Sequence, residues 1–168
     1  MTSVTNGVII IAHRGVNIKR NCSSEHMRKC VIMKRFELIE HTADMGLAAY
    51  GKTLAEAFAN AAYGMFSIIA ELDAVKEVET RRVEISEEDM EGLLFEWLNS
   101  LLYYFDVEML LFKRFDIIEF GEGRLVAECH GEKYDPSRHR LKTGVKSATY
   151  HMLEVDREKN RVQVIFDV

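Results

Sequence analysis

The chain has 168 residues, 48% hydrophobic and 10% aromatic, enough to bury one ordinary core and too few to fill two. Its longest apolar runs, such as Val8 to Ala12 and Leu101 to Phe105, fall far short of the roughly 20 residues of a membrane span, and its three cysteines (Cys22, Cys30, Cys129) show neither CxxC nor Cys/His finger spacing. A secreted disulfide scaffold and a zinc ribbon are therefore disfavoured, a reducing cytoplasm is the expected setting, and the charge of −5 hides a division into 1–32, with five Lys/Arg against one acid, and 33–168, with 17 against 26.

Residues 1–32 mix Val8 to Ile11 with scattered basic, Asn and Ser residues and have no long periodic pattern. They lack the longer apolar stretch of a signal peptide and the Arg-rich amphipathic helix of a transit peptide. The expectation is an extension without a fold of its own, or translation read from a start upstream of Met27 or Met33. The body, 33–168, is formally at −9 and repels phosphate backbones, so strong direct binding of nucleic acid is not expected.

From Met33 the pattern sharpens. Phe36, Leu38 and Ile39 form a short strand-like segment that ends at the polar turn Glu40 to Asp44, and a second strand spans Gly46 to Tyr50. Thr53 and Glu56 have the spacing of a capping box, which predicts a helix from Thr53 to about Ala70. Its apolar residues, among them Leu54, Phe58, Ala61, Met65 and Ile69, cover more than one face. A strand over 78–85 and Ser86 to Asp89 lead into a second helix, about Asp89 to Val107, that is apolar nearly all round. Helices without a wide polar face are buried on more than one side, which calls for sheet on both flanks. Strands then follow at Phe112 to Phe120 and Leu125 to His130 around a turn at Gly121 to Gly123, and at Val145 to Val155 and Arg161 to Val168 around a turn at Asp156 to Asn160. The order β-β-α-β-α-β-β-β-β predicts an α+β fold rather than an alternating parallel series.

Two features have the composition of a site. His41-Thr42-Ala43-Asp44 puts an imidazole and a carboxylate in a turn between strands, although spacing alone favours an Asx-type turn with His41 merely solvated. The sequence also ends on a strand-like segment, Val162 to Val168, where Asp167 and the Val168 carboxylate offer several oxygens of the kind hard cations bind. A pinned strand end is the plainer reading. Cys129 and His130 are neighbours on a strand and face opposite ways, one to the core and one to the surface. Lys146 and Tyr150 share a face of the presumed strand with His151 on the other, most simply for cross-strand packing. No Walker loop, dinucleotide fingerprint or nucleophile elbow occurs.

The segments EHTADMGLAAYGKTLAEAFANAAYGMFSII, EGLLFEWLNSLLYYFD, VKSATYHMLEV and VIFDV are similar, in order and spacing, to the archease family. The resemblance covers Met33 to Val168 and leaves 1–32 outside. It implies a β-α-β layered sandwich, with two largely buried helices between antiparallel or mixed sheets. It further implies a divalent ion, calcium or calcium-like, on Asp44, Asp167 and Val168, the last through a backbone or terminal carboxylate oxygen. His41 belongs to the same motif and receives no ligand role. The implied activity is that of a protein cofactor rather than an enzyme: activation of an RtcB-type RNA ligase in tRNA splicing, by promoting its guanylylation and multiple turnover. A chaperone or specificity modulator of a tRNA methyltransferase is the alternative. A small metal-dependent hydrolase ranks last, since it needs a base beyond the ligands and only His41 offers one.

Overall fold

The computed structural model describes residues 34–40, 44–121 and 123–168; what the sequence leads one to expect for residues 1–32 and for His41 lies outside them. The described elements follow the order read from the sequence: β1 (Phe36–Glu40), β2 (Met45–Tyr50), α1 (Leu54–Ile69), a 3₁₀ turn (Leu72–Ala74), β3 (Glu79–Ser86), α2 (Met90–Glu108), β4 (Leu110–Gly121), β5 (Arg124–Lys133), β6 (Ser147–Asp156) and β7 (Arg161–Asp167).

Both helices begin where a side chain can replace a missing backbone acceptor. At α1, Thr53 Oγ1 accepts from the Glu56 N–H at 3.2 Å. Glu56 reaches back to the Lys52 N–H at 2.7 Å rather than to that of Thr53, so the capping box closes one residue earlier than its usual form. Ser86 belongs to the end of β3, and the cap of α2 is Asp89, which accepts from the Gly92 N–H at 2.6 Å. α2 stops at Met109, whose left-handed φ of 56° turns the chain straight into β4.

Among the described residues every strand pairing is antiparallel, in a four-stranded sheet ordered β1-β2-β7-β6 and a three-stranded sheet ordered β3-β5-β4. The helices lie between them: α1 packs on β2 and β7 of the first sheet and on β4 of the second, and α2 on β6 of the first and on β3, β4 and β5 of the second. This is why neither helix has a broad polar face. Phe58, Phe66, Leu93, Leu94, Trp97, Leu98 and Leu101 are wholly buried, and Phe66 meets Phe112 edge-on at 5.6 Å. Trp97 donates its indole N–H to the Phe58 carbonyl at 3.2 Å, which satisfies the one polar atom of the largest core side chain and ties α2 to α1.

Two glycines permit close approach. At Gly64 in α1, a Cβ would sit 2.3 Å from Leu47 Cδ1 of β2, and at Gly131 in β5 it would sit 1.9 Å from the Leu111 carbonyl oxygen of β4. The stretch after β5 is pinned by Glu132, which is almost fully buried. Its carboxylate accepts from the Lys76 N–H at 2.7 Å, from Arg138 through both terminal nitrogens at 3.2 and 2.8 Å, and bonds His139 Nε2 at 3.0 Å. Because the Asp135 N–H donates to His139 Nδ1, the ring proton that faces Glu132 sits on Nε2.

Candidate functional site

β2 and β7 are far apart in sequence and become neighbours only through the sheet, with Met45 opposite Phe166. Asp44, in the bend just before β2, and Asp167, the last residue of β7, lie at the same end of this strand pair. On the other side of β7, Ser147 of β6 pairs with Asp167. Directly opposed residues in antiparallel strands share a face, with Cβ atoms about 5 Å apart. The alternation of β7 fixes which face: Val162, Val164 and Phe166 belong to the core, so Asp167 belongs to the side turned away from the helices. Two carboxylates from opposite ends of the body thus belong to the same end of the four-stranded sheet.

Val168 follows directly, partly buried with its side chain against the core. Its carbonyl oxygen accepts from the Lys146 ammonium at 3.0 Å, and the same ammonium lies 3.9 Å from Asp167 Oδ1. The Lys146 N–H donates to the Asp167 carbonyl at 2.8 Å, which anchors the start of β6 against the end of β7. These oxygens therefore already face positive charge, supplied here by a lysine whose side chain is largely exposed. Carboxylate and carbonyl oxygens are the donors that calcium and magnesium prefer, so the residues fit a hard divalent ion. Among the described residues no three His, Cys, Asp or Glu side chains converge. An ion here would draw on Asp44, Asp167 and the Val168 oxygen, with water completing its shell.

The three residues expected from the family resemblance are thus brought to one end of one sheet, while His41 lies outside the described residues. Ser147 and the Lys146 ammonium beside Asp167 and Val168 were not anticipated. The signal that finds them is the pairing of β6 with β7, which no local pattern encodes. Cys129 is fully buried and His130 lies on the outer face of the three-stranded sheet, as their opposite orientation predicts. Burial pushes the Cys129 thiol up, so it is inert as a nucleophile. The cross-strand reading of Tyr150 needs correction. A bulge lifts it out of the β6–β7 ladder, and its ring stacks on Phe95 of α2, with centroids 4.2 Å apart and planes at 19°.

No helix among the described residues is long and apolar enough to cross a membrane. The family model of the archease protein family (MTH1598/TM1083) matches residues 36–168. The archease of Sulfurisphaera tokodaii is 41% identical over 138 residues, 81% of this chain and 99% of that protein. That of Pyrococcus abyssi is 42% identical over 128 residues, 74% of this chain and 90% of its own. The solution structure of Methanobacterium thermoautotrophicum protein 1598 superposes with a TM-score of 0.68 at 38% identity, covering 81% of this chain and all of that one. The crystal structure of a Thermotoga maritima archease, described as a possible chaperone, has a TM-score of 0.53 at 22% identity over 86% of this chain and all of its own, a likeness of fold alone. With the family match spanning both sheets and both helices, and relatives near 40% identity over almost their whole length, the chain belongs to the archease family.

Proposed function

We propose that this protein is a non-enzymatic cofactor of an RtcB-type RNA ligase in tRNA splicing, working in the cytoplasm, and that residues 33–168 carry the activity. The observation that supports this reading most directly is the β2–β7 pairing, which brings the strand that follows Asp44 beside the strand that ends in Asp167 and leads to Val168. In this reading Asp44, Asp167 and Val168 hold a divalent ion, calcium or calcium-like, that would supply concentrated positive charge for phosphate oxygens. The chain's own part is to present the oxygens on a rigid sheet end. β7, a central strand hydrogen-bonded on both sides, holds Asp167 in place, and the adjoining Lys146 ammonium offers a second cation that an incoming phosphate could draw away from Val168. The acidic body disfavours competition for the RNA and leaves it to the ligase.

The test is a multiple-turnover ligation assay with purified ligase, substrate RNA, GTP and this chain, run across a calcium titration. Faster guanylylation and repeated turnover with the wild-type chain, lost with Asp44→Ala, is the expected result. Undiminished stimulation by Asp44→Ala and by Asp167→Ala would sink the site assignment. A change confined to the solubility or site choice of a tRNA methyltransferase, with guanylylation untouched, would favour the chaperone reading instead.

A further inference from the structure

Among the described residues β6 is an edge strand, and its pairing with β7 is broken in the middle. Thr149 pairs with Ile165 and Glu154 with Gln163, so Tyr150, His151, Met152 and Leu153 span the place of Val164 alone. Met152 takes a left-handed φ of 53° within this bulge. The result is an apolar surface: Tyr150 is 61% exposed and Met152 54% exposed. One face of the Tyr150 ring lies on Phe95 of α2, and its large exposure leaves the ring otherwise open to solvent. Partial desolvation and the negative field of Asp89, Glu87 and Glu96 raise the Tyr150 phenol above its ordinary value; Asp89 caps α2, Glu87 lies two residues before it, and Glu96 follows the stacked Phe95 on α2. Tyr150 lies three residues beyond Ser147, the partner of Asp167, or about 10 Å along the strand.

An exposed aromatic face on an acidic stretch of helix and its cap attracts a guanidinium or ammonium group and repels phosphate. A bulged edge is also a poor template for an added strand, because its ladder of donors and acceptors is interrupted. We propose that the β6 bulge and the adjoining face of α2 form a docking surface for a basic segment of a partner protein, an arginine or lysine lying over Tyr150 with Met152 beside it and Glu87 and Glu96 as counter-charges. This rests on the ligase reading, in which the partner is the RNA ligase. Tyr150 lies on the α2 side of β6 and Asp167 on the other side of the sheet, so a partner docked here reaches the Asp44–Asp167 end by wrapping around the β6 edge.

Binding of the whole chain to purified RtcB-type ligase, at low and high salt, tests the inference with two variants. Tyr150→Ala removes the aromatic platform, and the Glu87→Lys/Glu96→Lys pair reverses the charge of the acidic stretch while leaving the helix cap Asp89 in place. Each is expected to weaken binding by about tenfold or more. Calcium binding should be unchanged in both, and rising salt should weaken the wild-type complex. Should Tyr150→Ala unfold, the charge reversal carries the test alone. Affinity within about twofold of wild type for the folded variants overturns the inference. So does an effect of Tyr150→Ala seen only on self-association in sedimentation, or only on binding to RNA. Absence of binding by the wild-type chain overturns the ligase reading and this inference with it.

Discussion

The two sheets enclose the same pair of helices and spend their outer faces differently. On the three-stranded sheet, exposed charges are matched to one another. Arg82 pairs with Glu84, Arg124 with Glu84 and Glu119, and Arg114 with Glu77 and Asp116, while His130 bridges Thr80 and Asp116. The corresponding face of the four-stranded sheet is also paired along part of its length, Arg161 with Glu154 and Gln163 and Tyr50 with Glu37, and differs at one end, where it carries the acids Asp44 and Asp167. Among the described residues Asp44 has no ion-pair partner, and Asp167 has only the long Lys146 contact. A face whose charges are mutually neutralised has little left for a ligand. The other keeps its negative charge in reserve at one edge, and that is where an ion or partner can gain most.

The largest effect expected from breaking this asymmetry is on activity. Asp44→Ala and Asp167→Ala should each bring ligase stimulation down to the level seen without the chain and abolish calcium heats in titration calorimetry, with the thermal midpoint retained. Arg114→Ala/Asp116→Ala deletes an ion pair from the three-stranded sheet without changing the net charge and should leave stimulation intact. Loss of stimulation by that pair would erase the functional difference between the sheets.

How much of this was legible in advance follows the range of each signal. Caps are local, and Thr53 with Glu56 located the start of α1 to the residue, although the Glu56 side chain closes on Lys52. The all-round apolar helices Leu54–Ile69 and Met90–Glu108 implied two covering layers because burial leaves its mark on every helix position. The pairing of Met45 with Phe166 is different. It is a choice among strands made by packing and leaves no periodic trace in either segment, so composition and spacing alone left Asp44 as an ordinary turn residue. The break at Tyr150 to Leu153 was hidden for a related reason, since a run of Tyr, His, Met and Leu reads equally well as a regular strand or as a bulge.

Stability should divide between the sheets in the opposite sense, and Gly131→Ala probes this next. The added methyl would lie 1.9 Å from a backbone oxygen of β4, and no rotamer change can move a backbone. The β4–β5 pairing must open, at a cost of about 4 kcal/mol in urea denaturation. Glu132→Ala should follow at about 3 kcal/mol, because it strips a nearly buried carboxylate from Arg138, His139 and the Lys76 amide. The Arg138 fork, the Lys76 N–H and His139 hold that carboxyl at about 2, below its ordinary 4.5. With a folded value below the unfolded one, the contribution is complete above about pH 4.5 and is lost as the pH falls through about 2. Glu132→Gln should flatten the stability profile across that window, and an unchanged slope would remove Glu132 as its source.

The smallest expected effect lies in the four-stranded sheet and has the reverse sign. Met152 pays for a left-handed backbone with a side chain that rests exposed in the bulge. Glycine relieves the Cβ clash at that φ but loses more chain entropy on folding, so Met152→Gly should raise stability by about 0.5 kcal/mol net. Asn, which tolerates the left-handed region, should come close to neutral. Both remove the thioether from the surface beside Tyr150 and should weaken ligase binding while the fold is kept or strengthened. Stability and binding moving in opposite directions at one residue distinguishes a bulge kept for recognition from one that merely accommodates β6. If Met152→Gly stabilises the chain and binds the ligase as tightly as wild type, Met152 has no part in docking and Tyr150 must carry the contact without it.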